Sequence, residues 1–66
     1  MISIRRLNDV ERRGTLTYLT EASVERTEGW FTLSPDCETV WVRPVRGRKS
    51  VPLCPVLDVI YFEAES

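Results

Sequence analysis

Sixty-six residues, ten of them acidic, nine basic and none histidine, carry a net charge of −1. That length makes one domain, residues 1–66, with little interior left for a substrate cavity. No apolar run approaches the roughly 20 residues of a membrane span, and no charged start leads into an apolar stretch as in a secretory signal, so the chain reads as soluble and cytoplasmic.

In chain order, MISIRRL alternates Ile2 and Ile4 with polar residues and reads as a short edge strand. Asn8-Asp9 is turn chemistry. GTLTYLT, residues 14–20, is a strand, with Leu16 and Tyr18 on one face and Thr15, Thr17 and Leu19 on the other. Residues 21–28, EASVERTE, are short for a helix and read as an acidic loop or a frayed strand.

From Gly29 the pattern sharpens. GWFTLS and TVWVRPV flank PDCE, which has turn composition. Placing Ser34 opposite Thr39 makes Leu33 face Val40 and Phe31 face Val42, an apolar set that points inward. Thr32 then meets Trp41, and Trp30 meets Arg43, on the reverse face, so both indoles point outward. A second tight turn follows at RGRK, residues 46–49, around Gly47. Placing Val45 opposite Ser50 sets Val42 against Leu53 and Trp41 against Cys54. Pro44 and Pro52 lack a ladder donor, which predicts a bulge or a sheet edge here. VLD is one helical turn, VIYFE the last strand, and AES a frayed tail.

The run from VWVRPV through RGRK, SVPL and PVLD to VIYF resembles the C-terminal half of SH3-like barrels, which carry a 3₁₀ turn before the last strand. NDVERRGTLTYL resembles the opening of SH3-like nucleic-acid modules. The resemblance covers about two-thirds of the chain, is one of pattern, and implies an all-β, closed, five-stranded SH3-like barrel with a short 3₁₀ turn before its last strand. The aromatic-rich first-strand motif of peptide-binding SH3 domains is reduced to Tyr18. SVPLCPV also resembles a strand of the small plasmid-borne dihydrofolate reductases, but Pro52, Leu53 and Cys54 replace the polar groups which that chemistry uses.

Catalytic equipment is sparse. Without histidine the commonest general base is missing, and the three glycines are too scattered for a phosphate loop. Cys37 and Cys54 are read as reduced thiols, and two thiolates fall short of a zinc site. Apolar neighbours make Cys54 packing material. No enzyme, metal or cofactor is expected.

The candidate site is a surface. Trp30, Trp41 and Arg43 share one face, and Arg46, Arg48 and Lys49 form a cationic tip. Tryptophan and arginine dominate binding hot spots. The expected role is a small regulator, adaptor or inhibitor that binds another protein and self-associates, of the kind found as accessory proteins of phages and mobile elements. The alternative is a nucleic-acid-binding regulator that uses Arg12, Arg13, Arg43, Arg46, Arg48 and Lys49. Charge is unevenly spread: residues 21–38 set five carboxylates against Arg26 alone. Either the molecule is electrically two-sided or neighbouring strands neutralise one another.

Overall fold

The computed structural model describes residues 10–45 and 47–65. The proposed MISIRRL strand and the Asn8-Asp9 turn lie outside the described residues. Five antiparallel strands form one sheet: β1 (Arg12–Leu19), β2 (Val24–Leu33), β3 (Thr39–Arg43), β4 (Val51–Pro55) and β5 (Val59–Ala64). A 3₁₀ turn, Val56–Asp58, enters β5 as expected from the sequence. The strand order is β4-β3-β2-β1-β5.

The expectation of a closed barrel is corrected: among the described residues β4 and β5 are the two edges of an open ladder. The sheet nevertheless coils onto itself. Phe31 of β2 and Phe62 of β5, which are not neighbouring strands, meet edge to face with ring centroids 5.5 Å apart. Such a pair adds about 0.5–1.5 kcal/mol to the burial of the rings. Leu16, Phe31, Val40 and Phe62 are fully buried, joined by Tyr18, Leu33, Val42, Cys54 and Val56 in one core. Each large aliphatic or aromatic member contributes about 1.5–3 kcal/mol through burial.

Two glycines make the coiling possible. Gly14 of β1 is opposite Gly29 of β2. A Cβ on Gly14 would sit 2.4 Å from the Glu63 carbonyl oxygen and 2.7 Å from the Phe62 ring. The ring therefore occupies the space that any larger residue would need. At Gly29 a Cβ would press on Val42 at 3.0 Å.

The first hairpin follows the register read from the sequence. Trp30 faces Arg43, Phe31 faces Val42, Thr32 faces Trp41 and Leu33 faces Val40. Phe31, Leu33, Val40 and Val42 are buried, as period-2 alternation requires.

Of the loop and strand readings of residues 21–28, the strand holds from Val24: β2 begins there and pairs with β1 from Leu19↔Val24 to Gly14↔Gly29. The turn before it is tight. The Thr20 hydroxyl donates to the Ser23 carbonyl at 2.8 Å and accepts from the Ser23 amide at 3.1 Å. The β3–β4 register differs from the expected one. Val40 faces Cys54, Trp41 faces Pro52 and Val42 faces Val51, with the ladder shifting between Val40 and Trp41. Cys54 therefore points into the core, not at Trp41. The irregularity accompanies Pro52, which has no amide hydrogen to give the ladder.

Candidate functional site: the outer face and the β3–β4 hairpin

The outer face is built by register. Arg13 of β1, Trp30 of β2 and Arg43 of β3 stand side by side across three strands. Both guanidiniums lie over the indole, with Arg13 Cζ 5.8 Å and Arg43 Cζ 5.9 Å from the ring of Trp30. This distance suits a cation–π contact. One step along, Thr32, Trp41 and Pro52 form the next row. Both tryptophans are half-buried, Trp30 with its flanking arginines and Trp41 beside the bulge.

The two arginines are also ion-paired. Arg43 Nε donates to Glu11 Oε2 at 3.0 Å, and its Nη2 donates to the other carboxylate oxygen of Glu11. A bidentate clamp of this kind fixes the guanidinium plane. Arg13 Nε donates to Glu65 Oε2 at 2.9 Å, with Glu28 Oε1 3.6 Å from its Nη2. The Glu65 amide also donates to the Arg13 carbonyl at 2.9 Å, so Glu65 is held in place where a frayed tail was expected. A shallow groove beside Trp30 is lined by Glu11, Arg12, Arg13 and Glu65 and so carries both signs of charge.

The basic hairpin has a different character. Gly47 takes φ +91°, a conformation that only glycine adopts freely, and the Arg48 amide closes the turn on the Val45 carbonyl at 3.1 Å. Arg48 and Lys49 are exposed and make no ion pair among the described residues. Arg46 lies outside the described residues. Pro44, Val45 and Val51 supply the apolar lining of an open groove of about 630 Å³ beneath the two cations.

Of the expected surface, the structure joins Trp30 to Arg43 and sets Trp41 in the next row, while Arg48 and Lys49 form a separate tip. Arg12 falls in the Phe31 row and is exposed at the sheet end. Sequence reasoning missed that Arg13 shares Trp30 with Arg43, and it missed Glu11, Glu28 and Glu65 as counter-charges. Only the β1–β2 register could have revealed the first, and no local signal announces the others.

The turn between β2 and β3 is chemically quiet. The Ser34 hydroxyl donates to Asp36 Oδ1, and with the Glu38 amide it holds the Asp36 carboxyl below the usual carboxylate range. The Cys54 thiol is pushed up to about 11, first by burial and then by the charge of Asp58. It stays protonated at neutral pH and is inert. Among the described residues no three histidine, cysteine or acidic side chains gather where a metal ion could sit. No helix there is long and apolar enough to cross a membrane.

The chain matches no protein-family model, no curated protein and no solved structure.

Proposed function

We propose that this chain is a small, non-enzymatic protein-binding module on an SH3-like scaffold, acting as a regulator, adaptor or inhibitor in the cytoplasm. The scaffold reading is supported by the strand order, which places the first strand between the last and the second, and by the 3₁₀ turn that enters β5. One observation carries the binding reading: an outer face with two half-buried indoles, one of them bracketed by guanidiniums that carboxylates already hold in position. Such a surface is pre-organised, so a partner meets aromatic area without having to order it. Aromatic and arginine anchors of this kind dominate binding energies.

The test is affinity capture from the native host with wild-type protein and with Trp41→Ala. The reading expects a partner retained by wild type and lost by the variant at unchanged fold. Equal capture by both proteins would refute it.

Nucleic-acid binding ranks second. The exposed Arg12, Arg48 and Lys49 favour it, but Arg13 and Arg43 already face Glu65, Glu28 and Glu11. It requires affinity to fall with salt by about one unit of log–log slope per neutralised phosphate. No retention on single-stranded DNA at low salt eliminates it.

A further inference from the structure

The molecule presents two exposed apolar surfaces of opposite charge. One is the β3–β4 hairpin: Val45 is 60% and Val51 48% exposed, and Arg48 and Lys49 stand over them. The other is formed by the 3₁₀ turn and β5. There Leu57 is 89% and Ile60 52% exposed, accompanied by Asp58 and Glu63. None of these four charged groups makes an ion pair among the described residues. This contrasts with Arg13 and Arg43, whose charges are answered within the chain.

The hairpin and the 3₁₀ turn flank opposite ends of β4, and the turn leads on into β5. β4, which leaves the hairpin, is one edge and β5 is the other. The edges are also unlike. Two of the five residues of β4 are proline, Pro52 and Pro55, which blocks strand pairing there. β5 has neither proline nor lysine.

We propose that copies of this chain associate head to tail, with the hairpin of one seated against the acidic 3₁₀–β5 edge of the next. Val45 and Val51 meet Leu57 and Ile60, while Arg48 and Lys49 meet Asp58 and Glu63. The charge pattern selects this arrangement over a symmetric one: joining two β5 edges would bring like carboxylates together, and joining two hairpins would bring like cations together. A contact between two different patches repeats from copy to copy, giving a ring or an open chain. The proposal goes beyond the preceding reading, whose surface is the face of Trp30 and Trp41.

Sedimentation equilibrium at low salt tests it. Wild-type protein is expected to show a weight-average mass that rises with concentration above the 7.6 kDa of one chain. The rise shrinks in high salt, because exposed charge pairs are screened. Arg48→Glu with Lys49→Glu, and separately Asp58→Lys with Glu63→Lys, should each weaken association about tenfold or more, since attraction becomes repulsion. Mixed in equal amounts, the two variants should associate again, because each then carries the complement of the other. A variant that had merely lost its fold could not do this. If either reversal perturbs folding, Arg48→Gln with Lys49→Gln replaces it and should still weaken association.

Wild type that stays monomeric at every concentration overturns the proposal, as does association that both reversals leave unchanged or a mixture that fails to re-associate. Trp41-dependent capture of a foreign partner is indifferent to all of these results. Self-association can therefore fail while the binding reading stands, and the reverse also holds.

Discussion

The two hairpins of β3 are built on opposite plans. The first, between β2 and β3, is closed by a web of short bonds. The Ser34 amide donates to the Thr39 carbonyl at 2.9 Å, the Cys37 amide to the Ser34 carbonyl at 2.8 Å, and the Thr39 amide to Ser34 Oγ at 3.1 Å. The Val56 amide reaches the Glu38 carbonyl at 2.8 Å and ties the turn to the 3₁₀ segment. This web holds Cys37 at φ 60°, a left-handed conformation that costs a residue with a Cβ about 1–2 kcal/mol. The second hairpin has Gly47 at its positive φ, one amide closing the turn, and exposed cations. The first turn anchors the fold, whereas the second leaves Arg48 and Lys49 exposed.

The largest effect that sharpens this contrast is in the core. Phe31→Ala, on the strand that feeds the first hairpin, should cost about 3–5 kcal/mol in urea denaturation, the usual range for a buried aromatic. Val51→Ala, half-exposed at the second hairpin, should cost less than about 1 kcal/mol. Similar losses at both sites would erase the distinction.

Gly14→Ala comes next. Its Cβ collides with the Glu63 carbonyl and the Phe62 ring, so overpacking should cost about 1–3 kcal/mol. An unchanged midpoint would mean that the coiled sheet does not press Phe62 onto β1.

Ser34→Ala should cost about 1 kcal/mol through its lost hydrogen bonds, and it should also alter the acid response. The Asp36 carboxyl is held low by Ser34 and then by the Glu38 amide, so its folded value lies below its unfolded one. Its stabilisation is present above the unfolded value and is lost as pH falls through the folded one. The variant should therefore lose less stability than wild type as pH falls below the unfolded carboxylate value of 3.8. Identical acid limbs would show that the Ser34–Asp36 bond adds nothing.

The smallest effect lies at alkaline pH. Cys54 is raised from 9.0 to about 11, so the neutral thiol is the form that the fold favours. Its contribution is full below about 9 and is lost as pH rises towards 11. Cys54→Ala should flatten that decline. Thiol labelling of folded wild type at pH 8 should leave Cys54 unmodified, and rapid modification would place it outside the core.

The same contrast explains what the sequence made legible. Phe31, Leu33, Val40 and Val42 alternate along a ladder with no register shift, so counting outward from Ser34 and Thr39 fixed every pair. Counting outward from Gly47 failed at the turn itself: Val42 faces Val51 and Trp41 faces Pro52, two residues from the expected pairs, and the ladder then shifts by one more residue between Val40 and Trp41. Proline announced a bulge or an edge, but not where the extra residue falls. Val24 to Glu28 stayed undecided between loop and strand for a different reason. Their side chains are mostly exposed, and backbone bonds to β1 make them strand without apolar alternation. At the surface, Trp30 and Arg43 were readable from one hairpin. Arg13 needed the β1–β2 ladder, and Glu11 and Glu65 needed contacts spanning 32 and 52 residues.

Residue-resolved amide hydrogen exchange, in dilute and in concentrated protein, tests the division between the hairpins most directly. The amides of Ser34, Cys37 and Thr39 should be slow to exchange at both concentrations. The amide of Lys49 should exchange quickly in dilute protein and slow as copies begin to meet. That of Arg48, held by one bond to the Val45 carbonyl, should still exchange faster than those of the first turn. A second hairpin as slow as the first in dilute protein, a first hairpin that opens before it, or a Lys49 amide equally fast at both concentrations would contradict the account.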